Sequence, residues 1–436
     1  MADVLAGEAA QPVVFRKRHV LAACLGNALE FYDFITYSFF AIQIGHAFFW
    51  AKDPFTSLML SLGVFGAGFL SRPLGGFVLG AYADRVGRRA SMMLSYVMMG
   101  SAIAAMALIP PYSAIGVWAP ILAILARVVQ GVSLGGEVGS IMAFLTEAGP
   151  PRRRGLTVAW QPASQAIAAV AGSSIGLVLA AFMPPQFLDA WGWRIAFLLG
   201  ALTVPFGLML RRTLPETLHA PEAVPAPAAR SGAGSSPRLV VLGLMVLGGG
   251  TISTYVLDYM TTFAQGTLHM ASTVAFAATL LPNVIAFGAV LLGGWISDKV
   301  GRRPVMIWTQ VVYVLLALPT FLVIVHQRTA LTLIGGSCLL SFLSTFAMGA
   351  FYPAFSESMP KAVRGRGVAV TYACAIAVFG GTTQPVITWL IHATGRPEAP
   401  GFYLAAALMM ALIGMSLILE SAPVRAAPAF VIPEAA

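Results

Sequence analysis

The chain has 436 residues, 58% of them hydrophobic and only 10% charged, with a mean hydropathy of +0.82. Soluble domains carry roughly 25% charged residues, so these side chains cannot cover a water-facing surface, and the apolar excess needs lipid as its solvent. The net charge of +9 follows a topological pattern rather than a nucleic-acid patch, and helical spans use so much of the length that no large soluble catalytic domain fits.

From the N-terminus, residues 1–18 form a short segment without a cleavable signal, in which Arg16, Lys17 and Arg18 abut the first apolar run. Apolar runs at 20–43, 57–82, 91–110, 115–145, 156–182 and 193–211 predict six spanning helices, a first bundle over 19–212. Residues 213–238 are rich in Pro, Ala, Gly and Ser and read as a linker. Six more runs, 239–264, 272–296, 304–326, 331–355, 366–393 and 401–420, predict a second bundle over 239–421, followed by a tail at 422–436. The fold class is all-α: a twelve-helix membrane protein in two pseudo-symmetric six-helix bundles. Several runs exceed the roughly 20 residues a span needs, which implies tilt.

Most of the 26 lysines and arginines fall on one side of this threading, leaving Lys52, Arg194, Arg328 and Arg396 on the other. Basic loops stay in the cytoplasm, so both termini are expected there, with the chain in the cell membrane. The passage GAYADRVGRR (80–89) returns as GWISDKVGRR (294–303), and Glu147 with Arg154 returns as Glu357 with Arg364. Two markers at nearly one period indicate a duplicated six-helix unit.

The loop GxxxDRxGRR, together with Arg127–Gly131 and Leu214-Pro215-Glu216-Thr217, resembles the signatures of the major facilitator superfamily. Gly26-Asn27, Glu30, Asp33-Phe34, Ser71–Gly76 and Phe379–Thr382 resemble its metabolite:proton symporter family. The stretches 57–73, 159–165 and 391–403 look most like the citrate and tricarballylate branch. The resemblance implies a proton-coupled symporter that imports a small organic acid by alternating access, acting as a monomer, with no cofactor and no nucleic-acid partner. A proline- or betaine-type zwitterion is the alternative cargo within the family; a sensor, a channel or an enzyme fits the sequence less well.

Charges within spans cost about 2.5–3.5 kcal/mol each on insertion scales, and the candidates are Glu30, Asp33, Arg72, Arg127, Glu137 and Asp258. Glu30 and Asp33 share a face of the first helix and are read either as proton carriers or as partners of Arg127; the superfamily resemblance favours Asp33 as the exchanging group. Arg72 and Arg127 are the intramembrane guanidiniums able to grip a carboxylate in a two-pronged bond, with Arg72 alternatively a brace between helices. Tyr32, Gln161, Ser164, Gln165 and Tyr255 are expected to complete the substrate site. Asp258 is left open between a proton, a cation and an amine; Gly131, Gly135 and Gly139 are read as a packing stripe. Gly380, Gly381 and Pro385 mark a pliable point. Asp84, Arg85, Arg88, Arg89, Glu147 and Arg154, with Asp298, Arg302, Arg303, Glu357 and Arg364, are the expected gating residues.

Overall fold

The computed structural model describes residues 17–51, 53–86, 88–135, 141–142, 145–146, 149–212, 237–359 and 364–422, and these residues contain no strand. The side chains of Glu30, Asp84, Arg88, Arg89 and Arg364, and all of Glu137, Gly139, Glu147 and Leu214–Thr217, lie outside the description. The first half comprises α1 (Lys17–Phe39), α2 (Ala41–Phe48), α3 (Pro54–Leu70), α4 (Arg72–Val86), α5 (Arg88–Leu108), α6 (Trp118–Leu134), α7 (Arg154–Phe182) and α8 (Trp193–Arg212). The second comprises α9 (Pro237–Asp258), α10 (Met260–Gly266), α11 (Ser272–Val300), α12 (Arg302–Gln327), α13 (Ala330–Ser358), α14 (Arg364–Ala375), α15 (Gly381–Thr394) and α16 (Ala399–Leu417). Joined at their breaks, the described helices make twelve passes.

Several passes expected to be continuous are broken. The first bends at Phe40, where α1 meets α2, and the seventh bends at the corresponding place, Tyr259, where α9 meets α10. The second pass divides at Ser71 because Pro73 has no N–H to give and its ring crowds the preceding turn. The eleventh contains a wide π turn, Ile376–Gly380, immediately before Gly381, at the pliable point expected from its glycines and Pro385.

The outer surface is apolar: Phe182, Leu331 and Phe77 are each about 80% exposed, as lipid-facing positions should be. The polar side chains point inward instead, with Asn27, Asp33, Arg127, Gln130 and Gln161 fully buried. Small residues let the helices approach one another. A Cβ on Gly131 or Gly135 would run into the backbone of α3 or α4, so this stripe packs helices. Between the halves, α7 lies along α11 with Gly155 against Gly294, and α3 meets α15 with Gly66 against Gly381. These crossings bring the central ends of α1, α3, α6, α7, α9 and α14 around one interior.

Candidate substrate and proton site

The interior is organised by one aromatic ring. Phe34 on α1 is fully buried, and two guanidiniums sit over it: the Arg127 Cζ lies 4.2 Å from its centroid and the Arg72 Cζ 4.4 Å. Arg127 also lies 4.5 Å from the Tyr37 centroid, and Arg72 lies 4.6 Å from that of Phe69. Phe34, Phe65 and Phe69 pack edge and tilt against each other, which fixes this platform. Each cation–π contact returns about 0.5–2 kcal/mol, against the several kcal/mol that desolvating a guanidinium costs. The ring thus lowers the cost of burying two like charges without neutralising them.

Arg127 donates from Nη1 to Gln130 Oε1 at 2.7 Å, one turn along α6. Its Nε and Nη2 find no hydrogen-bond acceptor in the protein. Asp33 is fully buried on α1, and neither of its oxygens has a hydrogen-bond partner. It lies within the field of Arg127, yet no ion pair within 4 Å joins them. The expected direct pair is therefore open in this conformation, and the guanidinium is held by Gln130, Phe34 and Tyr37.

The other expected site residues divide. Asn27 donates to Ser164 Oγ at 2.7 Å, and Ser164 donates to the Gln161 carbonyl at 2.6 Å, so Ser164 is used within the first half. The Gln161 amide is buried with neither its N nor its O partnered. Gln165 reaches across the halves to the Tyr372 hydroxyl at 3.3 Å. Tyr255 is buried with its ring 5.2 Å from Phe69 and 6.0 Å from Phe65. Tyr32 is turned elsewhere: its hydroxyl donates to the Ala196 carbonyl on α8 at 2.9 Å, because α8 offers the smooth surface of Gly200 beneath its ring. Asp258 is 5% exposed at the end of α9 and makes no hydrogen bond or ion pair with a described residue. Among the described residues no cluster of His, Cys, Asp and Glu is suited to a metal.

The model of the Major Facilitator Superfamily matches residues 23–375. The chain belongs to the major facilitator superfamily. It is 36% identical over 398 residues to the citrate–proton symporter of Klebsiella pneumoniae, with 90% of each chain covered. It is 35% identical to that of Salmonella typhi, with 92% of this chain and 93% of the relative covered. A glycine betaine/proline/ectoine/pipecolic acid transporter of Dickeya dadantii is 30% identical over 92% of this chain and 82% of its own length. The xylose transporter of E. coli in a partially occluded inward-open conformation superposes with a TM-score of 0.77 at 16% identity, covering 93% of this chain and 98% of that one, a likeness of fold alone.

In this superfamily transporter, a multi-pass membrane protein, the described acidic and basic residues of the second-half loops meet the first half at one end of the bundle. There, Asp298 at the end of α11 accepts from the backbone N–H groups of Gly155 at 2.8 Å and Leu156 at 3.0 Å, capping α7 of the opposite half. Asp298 also pairs with Arg302 at 2.7 Å, and the fully buried Arg302 bonds Glu357 at 3.2 Å. Glu357 in turn faces Arg154 of the first half at 3.5 Å, so that an acid of one repeat marker meets the base of the other. Thr146 and Ser356 bond beside them at 2.9 Å. Arg303 points outward to the Ser416 carbonyl, within its own half, and Arg85 is exposed. At the opposite end Gln384 donates to Ser38, Gln43 donates to Gln265 at 3.1 Å, and Phe55 stacks on His392 with centroids 3.8 Å apart. A cleft of about 760 Å³ lined by His46, Trp50, Asp53, Ser57 and Tyr112 opens at that end.

Proposed function

We propose that the chain is a proton-coupled symporter that takes up a small organic acid with two or three carboxylates, citrate or a close relative, by alternating access. One observation carries the reading: two buried guanidiniums share the Phe34 ring, one of them with two nitrogens lacking an acceptor, beside the buried Asp33. A multivalent carboxylate supplies what that arrangement lacks, and the similarity to citrate–proton symporters supports the same cargo.

In this scheme Asp33 and Arg127 pair in another conformation of the cycle, a proton on Asp33 breaks that pair, and the released guanidinium takes a substrate carboxylate. Glu30, one turn earlier, assists the transfer. The halves, residues 19–212 and 239–421, rock about the site, and the linker 213–238 joins them on the cytoplasmic side. The basic end faces the cytoplasm with both termini, the membrane is the bacterial inner membrane, and the monomer is the working unit. The Asp298–Gly155 cap, with Arg302, Glu357 and Arg154, closes the inner gate; Arg364 joins it from the second repeat, and its counterparts in the first are Asp84, Arg85, Arg88, Arg89 and Glu147.

A second reading, a betaine- or proline-type zwitterion, is favoured by the lone buried Asp258, which could face an ammonium, and by the Dickeya relative. Uptake of labelled citrate into proteoliposomes under an imposed pH gradient tests both. Competition by tricarballylate and not by betaine is expected. Asp33→Asn should abolish proton-driven accumulation while exchange persists; accumulation at the wild-type level refutes the coupling scheme.

A further inference from the structure

We propose that the side-chain amides of Asn27 and Gln161 read the hydroxyl of a hydroxy acid, so that the site selects a 2-hydroxy polycarboxylate over its deoxy counterpart. The proposal rests on the reading of the chain as an organic-acid carrier and narrows the class of acid.

Both amides are fully buried, Asn27 on α1 and Gln161 on α7. Asn27 spends its N–H groups on α7: its Nδ2 lies 2.7 Å from Ser164 Oγ and 3.3 Å from the Gln161 backbone carbonyl. A reversed amide would set its oxygen against that carbonyl oxygen, so the orientation is fixed. The Asn27 Oδ1 is left without a partner among the described residues, and neither the oxygen nor the nitrogen of the Gln161 side chain has one. Buried polar atoms are ordinarily paired. Gln161 lies one turn before Ser164, which meets α1, and before Gln165, which crosses to Tyr372 of the second half. It therefore stands on the face of α7 that turns between α1 and the opposite bundle. Asn27 shares a stripe of α1 with Phe34, seven residues on, and Gln130, which holds Arg127, also has an unpartnered Nε2. From the arginine platform, Asn27 and Gln161 lie toward the end where Asp298 caps α7.

The chemistry of the ligand follows from what these atoms need. A carboxylate only accepts, so it satisfies the arginines and the amide N–H groups but neither Asn27 Oδ1 nor Gln161 Oε1. An ammonium only donates, leaves the Gln161 Nε2 unmet, and is repelled by the two guanidiniums over Phe34. A hydroxyl does both: it gives its hydrogen to an amide oxygen and takes one from the Gln161 Nε2. A buried amide left open costs more than a made bond returns, so an acid without the hydroxyl is disfavoured by the groups it leaves unmet. The arginines thus read charge, and the amides read the hydroxyl beside it.

The test compares citrate with tricarballylate, which is citrate without its hydroxyl, on the full chain in proteoliposomes. Each acid is titrated against counterflow of labelled citrate without a pH gradient, and thermal shift of the solubilised protein reads binding independently. Wild type is expected to hold citrate about 10- to 100-fold more tightly, with tricarballylate competing at higher concentration. Gln161→Met keeps the length of the side chain and removes both polar atoms; it should shrink that ratio to within about threefold, chiefly by weakening citrate. The ratio is read first in wild type, so a variant that misfolds leaves the test decisive. Equal affinities in wild type overturn the proposal and leave the acid-carrier reading standing: the amides then serve a water or a protonated carboxyl, which either acid can bring. A variant that weakens both acids by the same factor makes Gln161 a general contact and overturns it as well. A wild-type protein that answers betaine and neither acid takes down both readings.

Discussion

Arg127 shows how a single side chain is placed at a cost and then put to use. It has no accessible surface, one side-chain hydrogen bond, and two aromatic rings within 4.5 Å. Neither the amide of Gln130 nor the face of Phe34 carries a full negative charge, and the second guanidinium over the same ring adds repulsion. The site therefore favours an anion and would favour one less if its fork were reduced to a point charge. Arg127→Lys should raise the half-saturating citrate concentration roughly 10- to 100-fold, the effect of losing charge-assisted bonds worth about 1.5–3 kcal/mol; uptake kinetics against expression-matched wild type check this. The charged members of the site were legible in the sequence because a charge inside an apolar run is conspicuous. Phe34 as the platform was not, since an aromatic residue in a membrane helix looks the same whether it faces lipid, core or ligand. Tyr32 illustrates the converse: expected at the substrate site, it lies one residue from Asp33, and a rotation of roughly 100° per residue along the helix sends it to α8 instead.

At the scale of the element, the number of passes followed from hydropathy, but the places where they break did not. Pro73 and the Gly380–Gly381 pair advertised two of the irregularities, whereas the bends at Phe40 and Tyr259 carry neither proline nor glycine. At the first, Thr36 bonds back to the Tyr32 carbonyl at 2.6 Å and Ser61 takes the Ala41 carbonyl at 2.8 Å, a rearrangement set by a neighbouring helix and invisible to local pattern. The last helix also stops short of its hydropathic limit, at Leu417, and Glu420 beyond it folds back as a clasp. Its carboxylate accepts from the backbone N–H groups of Arg302 at 2.9 Å and Arg303 at 3.0 Å, capping α12, and from those of Ser421 and Ala422. Partial burial opposes the charge of Glu420, but these backbone bonds outweigh it and hold the carboxyl below the ordinary glutamate range. A depressed value in the folded state means that the clasp stabilises fully above about pH 4.3, the unfolded reference, and is lost as pH falls through the lower folded value. Melting of the solubilised protein should show Glu420→Gln destabilised at neutral pH, with the difference from wild type shrinking as the solution is acidified below pH 4; a constant difference throughout would place the effect elsewhere.

For the whole molecule, the duplication was written in the sequence at a fixed period, and the two-bundle plan came with it. The contacts between bundles were hidden, because they join residues 143 to 346 positions apart: Ser38 with Gln384, Gln165 with Tyr372, Asp298 with Gly155. They show the halves touching at both ends of the molecule. If the end carrying Ser38 and Gln384 must part to admit substrate, a Ser38→Cys/Gln384→Cys pair should form a cross-link under mild oxidation and arrest uptake, with recovery on reduction; undiminished uptake by the fully cross-linked protein would exclude opening there. The chemistry of the two closures differs. At the Ser38 end the hydrogen bonds across the halves run between amides and hydroxyls, while at the Asp298 end they involve carboxylates, guanidiniums and a helix terminus. The second kind is shut away from solvent, with Arg302 at 0% and Asp298 and Glu357 at 4% and 6% exposure, so dissolved salt screens it little. Buried charges part only when each finds a new partner at once, whereas an amide and a hydroxyl can be handed singly to water, so the Asp298 end is built to let go as a unit and the Ser38 end by degrees.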